Sequence, residues 1–506
     1  MLRFSLVVLA CLVAAPASAQ TYVPRDERGS LDARAQTDLD GNRALATVFN
    51  FGQDGRTGGT PGEISHEWPA GTGRRYIALT GLLVGAEVQS VTGATTAIVD
   101  LPNYRADFYD PDQAWTWAPV PSYSAGVAIA RSDRPETWPA VWPDKLGDAS
   151  DPGWPGAWNG ILGKDAFLDG AETYTHYSDD GYDRNRQSPS TTYYPDSTDL
   201  DRAGLGIVVS ERRLASRDVS VEDALFAVRD LYNAGTEDLT AVAATVWVAD
   251  LVGGDADAAD DQPVLFADRD LIVFGDADGQ SSDPAFPGGQ TVGAAALVLL
   301  ETPEGLGFTT VRHVPAGGIN FQSVPDASLY QQFMVPAGAD PAPPLGTDYD
   351  TYASVGLFGI EAGASVRLAT ALVFGDVDYG AAEPEVRYAE LLSKAEAARA
   401  FYAGGFVTAE QASAPGESLA LRVAPNPFSA EARLSFSLGA PQPVRVEVFD
   451  VLGRRLAVLA DGPHAGGSHD LVWDGRAHGA LVGSGVYLVR LTTPAGVVTR
   501  SVRLVR

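Results

Sequence analysis

The chain has 506 residues, 45% of them hydrophobic, with 54 glycines, 33 prolines, a single cysteine and a net charge of −29. That length and apolar content suit about three domains with packed cores and exclude a disordered chain, while the glycine and proline share favours turn-rich β structure. So negative a chain repels nucleic acid and anionic lipid, and it suits salty water or divalent cations.

Residues 1–19 read as a secretory signal peptide. Arg3 supplies the positive start, Phe4 to Ala15 an apolar run too short to span a bilayer, and Ala17-Ser18-Ala19 the small-residue cleavage site. A buried N-terminal helix is the alternative. Cys11 stands in "VLAC", which faintly resembles a lipoprotein box, but apolar residues continue well past it. Cleavage after Ala19 leaves no cysteine, so disulfides, thiolate metal sites and cysteine nucleophiles are excluded together. No later stretch approaches eighteen consecutive apolar residues, and no transmembrane segment is expected after signal removal.

Residues 20–199 form an N-terminal, loop-rich and Trp-rich region. Trp138, Trp142, Trp154 and Trp158 fall close together, the first three followed by proline. A Trp-Pro step holds the tryptophan backbone extended. The rings serve either as a sugar-stacking platform or, the preferred reading, as the loop's own core, since each buries about 200 Å².

Residues 200–406 are expected to fold as a β-sandwich-like domain ending in a helix. Ala224 to Leu251 gives two strand-like runs around Asn233-Ala234-Gly235-Thr236, a hairpin by turn chemistry. "LIVFGD", "AAALVLLE", "ASVGLFGI" and "SVRLATALVFGD" are further strands. One helix is predicted over Val386 to Phe401, with Leu391, Ala395, Ala398 and Tyr402 near one face and Gly404-Gly405 as its stop. Residues 407–418 are small, polar and unpatterned, and read as a linker punctuated by Pro415-Gly416. From about Glu136 to Gly404 the pattern is similar to that of large secreted proteins of gliding and marine Bacteroidetes-type bacteria. That resemblance implies a β-sandwich ectodomain and assigns no chemistry.

Residues 419–506 alternate clearly. Leu434, Phe436 and Leu438, then Val444, Val446 and Val448, Leu456 and Val458, Leu471 and Trp473, Tyr487, Val489 and Leu491, and Val498, Val502 and Leu504 mark six or seven short strands of a two-sheet sandwich. Pro425 and Pro427 flank Asn426 before Phe428, and prolines without backbone donors keep this stretch out of a neighbouring sheet. From Glu417 to Arg506 the chain carries ten arginines against seven acids, so the acidity lies in the body.

The blocks "APNPF", "VRVEVFDVLGRRLAVL", "LVWDG", "GSGVYLVRL" and the basic last strand "RSVRLVR" resemble the C-terminal sorting domain of type IX secretion, of the FlgD/Vpr Ig-like kind. Pro425, Asn426, Pro427, Phe428, Trp473, Asp474, Gly475, Gly485 and Tyr487 are the matching motif positions. The resemblance implies Sec export, folding in the periplasm, passage through the outer membrane and usually removal of this domain. The cargo is then released or attached to surface lipopolysaccharide. The implied partners are the type IX machinery and surface lipopolysaccharide or extracellular glycan, and the implied location is extracellular or the outer cell surface.

No complete catalytic motif is present: no H-E-x-x-H, no G-x-S-x-G, no P-loop and no glycine fingerprint after a strand. His66, His176 and His313 stand alone, and the abundance of acids makes carboxylate pairs uninformative. Acids do cluster in loops. Asp250, Asp255, Asp257, Asp260 and Asp261 form one group, Asp276, Asp278 and Asp283 another, and Asp38 and Asp40 a third. Alternating Asp-x-Asp with glycine lets carboxylates converge as Ca²⁺ requires, and a structural calcium at Asp250, Asp255, Asp257, Asp260, Asp261, Asp276 and Asp278 is weighed against a solvated, salt-adapted surface. The sequence thus predicts a mostly β secreted or cell-surface protein of non-enzymatic, structural or adhesive type. A secreted polysaccharide-binding protein or hydrolase is the alternative.

Overall fold

A computed structural model describes residues 28–56, 63–102, 116–123, 128–146, 153–179, 188–283, 286, 291–321, 323–406, 421–424, 428–438, 442–450, 454–465, 467–477, 480–493 and 496–505. The expected signal peptide at 1–19, the expected linker at 407–418 and Pro425, Asn426 and Pro427 lie outside them. The chain divides into two compact units, Met1–Phe406 and Val407–Arg506. Both are built mainly of antiparallel strands, as the sequence predicts.

The first unit contains two large sheets. One runs in the order Gln36–Leu39, Ala46–Phe49, Gln53–Gly55, Arg75–Gln89, Leu239–Asp250, Tyr349–Ile360, Thr310–Pro315 and Gly338–Ala339. The other runs Asp261–Phe266, Leu271–Asp276, Ala294–Glu301, Ser365–Gly375, Ala224–Asn233, Ile207–Ser216, Gly170–Ser178 and Ala118–Pro119. Strands from before and after residue 200 hydrogen-bond within both sheets, as Gly170–Ser178 does with Ile207–Ser216. The expected division at 199/200 is therefore one of composition and not of fold.

The expected hairpin at Asn233 is also corrected. Ala224–Asn233 and Leu239–Asp250 are strands, but they belong to different sheets, and the turn is a corner between layers. Both strands are almost wholly buried. Each needs apolar neighbours on both faces, which direct mutual pairing at a solvated sheet would not supply.

The burial pattern follows side-chain alternation. Ile272 and Phe274 enter the core between the two sheets, with Leu82, Val84, Val246, Val355 and Phe374. Their neighbours Leu271 and Val273 face the opposite way, onto the helix Ala389–Ala403 through Leu391, Ala395 and Ala398. A strand covered on both faces reads as an unbroken apolar run, hence "LIVF" and "AAALVLL". On its outer face, the first sheet packs Leu83, Trp247 and Tyr352 against Leu329, Tyr330, Phe333 and Met334 of a short helical segment.

The helix departs from expectation at both ends. Pro384–Arg387 is a separate turn, Tyr388 leaves helical geometry, and Val386 is exposed. At the far end Phe401 is the deeply buried residue, with Tyr402 only partly covered.

The second unit is a small sandwich. Leu421–Ala424, Ala432–Leu438 and Gly467–Trp473 make one sheet; Arg455–His464, Gln442–Asp450, Gly485–Thr493 and Gly496–Leu504 make the other. Leu434, Phe436, Leu438, Val444, Val446, Val448, Val489, Leu491, Val502 and Leu504 form its core. Val458 is exposed, against the alternation, because its edge strand slips register opposite Val446 and Glu447.

Candidate functional site

The acidic loops at one end of the first unit converge in part. Asp261 and Asp276 sit directly opposite each other across the pair Asp261–Phe266 and Leu271–Asp276. Asp257 and Asp260 arrive from the connection that follows Leu239–Asp250. Carboxylate oxygens of Asp257, Asp260 and Asp276 all lie within 4.8 Å of one another. The local chain makes this approach with two consecutive glycines: Gly253 has φ +92° and Gly254 φ +112°, and a Cβ on Gly253 would collide with Oδ2 of Asp257.

Backbone amides fix these carboxylates. The Ser282 N–H donates to Oδ1 of Asp257 at 2.8 Å, and the Val252 N–H to Oδ2 of Asp261 at 2.8 Å. The Gly279 N–H donates to Oδ1 of Asp276. The other oxygen of each carboxylate is buried without a hydrogen-bond partner. Burial pushes the Asp276 carboxyl up to about 7, helped by the negative charges of Asp260, Asp257 and Asp278. Asp261 is raised well above the usual carboxylate range by burial and then by Asp250 and Asp276. Asp260 is raised by burial and by Asp257 and Asp278.

The remaining acids of the sequence cluster do other things. Asp255 is half-exposed and pairs with Arg56 and Arg75, the latter at 2.9 Å, and those arginines hold its carboxyl below the usual range. Asp278 is exposed and accepts the Gln280 N–H at 2.8 Å. Asp250 is buried, and its carboxyl is pushed well up by burial and by Asp348 and Asp350. Asp40 pairs with Arg131 at 2.7 Å, and Asp38 accepts the Thr47 hydroxyl at 2.8 Å. Sequence reasoning missed Asp348 and Asp350, although their own Asp-x-Asp spacing carried the signal.

The tryptophans form a core and not a platform. Trp142, Trp154 and Trp158 are fully buried, and the Trp142 and Trp158 rings meet edge-on at 5.3 Å. The Trp142 indole donates to the Ala157 carbonyl at 2.8 Å, and that of Trp138 to the Arg131 carbonyl at 2.7 Å. Their faces are covered by protein, so none of the three buried rings is open to a sugar.

Between the sheets lies a buried charge network. Glu211 binds Arg229 at 2.7 Å and Arg213 at 3.0 Å and accepts the Tyr177 hydroxyl at 2.8 Å, while Asp54 of the facing sheet pairs with Arg213. His66 lines the adjoining cavity of about 20 Å³, room for roughly one water. A space that small admits no substrate, so these groups are structural. His176 is buried beside Ser210 at 3.0 Å, and His313 lies 3.0 Å from the Thr351 hydroxyl. The three histidines occupy separate places in the unit.

In the second unit, motif residues far apart in sequence meet. Trp473 packs on Phe428 at 5.4 Å and on Tyr487 at 5.1 Å between ring centres. The Trp473 indole donates to the Arg476 carbonyl at 3.0 Å and the Tyr487 hydroxyl to the Gly483 carbonyl at 2.6 Å. Asp474 accepts the Arg476 N–H at 3.1 Å, and Gly475 takes φ +67° in that turn. Gly485 opens the strand that carries Tyr487.

No family model matches the chain, and no curated protein does. Similar solved structures include a polysaccharide lyase, at 8% identity and a TM-score of 0.26, covering 95% of this chain and 46% of that one. Dimeric latent PorU from Porphyromonas gingivalis is similar at 10% identity and a TM-score of 0.16, covering 59% of this chain and 31% of that one. The N-terminal periplasmic domain of ScsB from Proteus mirabilis is similar at 10% identity and a TM-score of 0.12, covering 55% of this chain and 93% of that one. The chain thus spans less than half the length of the first two. Among the described residues no helix is long and apolar enough to cross a membrane.

Proposed function

We propose that this is an exported, non-enzymatic protein of the cell surface or extracellular space, whose C-terminal unit is its address for type IX export. The observation that carries the reading is the meeting of Phe428, Trp473 and Tyr487 in one aromatic cluster. These residues come from three separate blocks of the sorting-domain resemblance, and they pack as the centre of a sandwich with its own core. A module that folds on its own core is what a transporter can recognise after the rest of the chain has folded. The type IX machinery is the partner this implies, with surface lipopolysaccharide or glycan as the point of attachment. The burial of the tryptophans and the structural role of the interior charges support a non-enzymatic body.

The test is truncation before Leu419 in the producing bacterium, with the product followed by immunoblot in cell and medium fractions. The truncated chain should accumulate inside the outer membrane. Normal amounts outside would overturn the reading.

A further inference from the structure

We propose that Asp257, Asp260 and Asp276 form a binding site for a divalent cation, and that the cation is Ca²⁺. The site is independent of the export reading. Two oxygens bound to one calcium ion, each about 2.4 Å from it, are at most about 4.8 Å apart. The three carboxylates meet that limit together. Three protein carboxylates at one point favour Ca²⁺, which takes many protein oxygens, over Mg²⁺, which keeps several waters and binds through one or two carboxylates.

Acid clustering alone would be a weak argument, since exposed carboxylates are often merely solvated. Here two of the three groups are not exposed. Asp257 is 5% exposed and Asp276 1%, and Oδ2 of each is buried without a hydrogen-bond partner. A buried polar atom left unpaired costs about 1–3 kcal/mol, and more if charged, so two of them converging on a third carboxylate need a counter-charge. Among the described residues no basic side chain forms an ion pair with Asp257, Asp260 or Asp276, and the nearest loop acid to find arginines, Asp255, binds Arg56 and Arg75 instead. The backbone amides of Ser282 and Gly279 hold Oδ1 of Asp257 and Asp276, which leaves the buried Oδ2 of each as its unpaired oxygen. That is the arrangement by which outer hydrogen bonds orient metal ligands. Asp261, opposite Asp276, keeps its own Oδ1 buried and unpaired as well. The ion would join the connection after Leu239–Asp250 to the end of Leu271–Asp276, one strand from each sheet, in a chain whose single cysteine allows no internal disulfide.

The experiment is calorimetric titration of CaCl2 into the chelator-stripped full chain, with parallel melting curves. Saturable binding and a Tm several degrees higher with Ca²⁺ than with chelator are expected. Asp276→Asn and Asp257→Asn should each raise the Kd at least tenfold, whereas Asp278→Asn, which removes the same charge from an exposed neighbour, should change it less than threefold. In chelator the Asn variants should melt no lower than the parent, because repulsion is relieved; this separates lost binding from lost folding. No binding heat together with a Tm shift below about 1 °C overturns the proposal. Equal Kd values in all three variants do so as well.

Discussion

The side chain of Asn233 donates to the main-chain carbonyl of Ile360, 3.0 Å away, and so joins two of the places where the chain passes from one sheet to the other. The same amide donates to the Glu237 carbonyl at 2.8 Å, and its oxygen accepts the Gly235 N–H at 3.0 Å. The backbone continues the junction, with the Gly363 N–H donating to the Asn233 carbonyl at 2.9 Å. Replacement by alanine strands two buried polar groups and one part-buried carbonyl, at about 1 kcal/mol or more for each buried group. Asn233→Ala should therefore lower stability by about 2–4 kcal/mol in urea titration. Asn233→Asp, which keeps shape but cannot donate, should be no better.

The local chemistry of that corner was legible and its consequence was not. Asn-Ala-Gly-Thr between apolar runs marks a reversal of direction, but a hairpin and a corner begin alike. What separates them is whether the second run pairs with the first or with strands far along the chain, such as Arg75–Gln89 and Tyr349–Ile360, and that information is not local. The second unit was easier, since alternation at Leu434 to Leu438 and Val444 to Val448 states which face is buried. Among the acids, Asp-x-Asp spacing found the right loops. It could not tell that Asp255 would be taken by Arg56 and Arg75, which lie about two hundred residues away.

Two buried histidines make the first unit sensitive to acid. Burial lowers His66 to about 4, with a smaller contribution from Arg213, and lowers His176 to about 3. In the unfolded chain both titrate near 6.5. Their neutral forms therefore contribute stability that is whole above pH 6.5 and is lost as pH falls through 4. For His66 the shift corresponds to roughly 3 kcal/mol. His66→Gln, which can still donate to the Ile77 carbonyl, should flatten this part of the pH dependence when urea midpoints are compared between pH 7 and pH 4.

Glu211 holds two arginines and a tyrosine in the interior. Neutralising it leaves Arg213 and Arg229 short of counter-charge where water cannot compensate. Glu211→Gln should cost about 3–5 kcal/mol, measured by chemical denaturation. Leu at the same position should be at least as damaging, because it also removes the acceptor of the Tyr177 hydroxyl.

The tryptophan cluster should behave as core. Trp158 meets Trp142 at 5.3 Å and Trp138 at 5.6 Å and donates to Oε2 of Glu172 at 3.4 Å. Trp158→Ala should cost about 3–5 kcal/mol, and sugar polymers should leave the intrinsic fluorescence of the parent unchanged. Saturable quenching by a polysaccharide would contradict the covered geometry.

Ser365–Gly375 lies in the middle of the second sheet, between Ala224–Asn233 on one side and Ala294–Glu301 on the other. Until that late stretch has been synthesised, the sheet exists only as two unjoined halves with open edges. The growing polypeptide therefore cannot lock into shape section by section as it emerges from the ribosome. Cutting the gene anywhere ahead of residue 365 should yield aggregating fragments and no smaller native domain, which makes nearly four hundred residues a single all-or-none commitment.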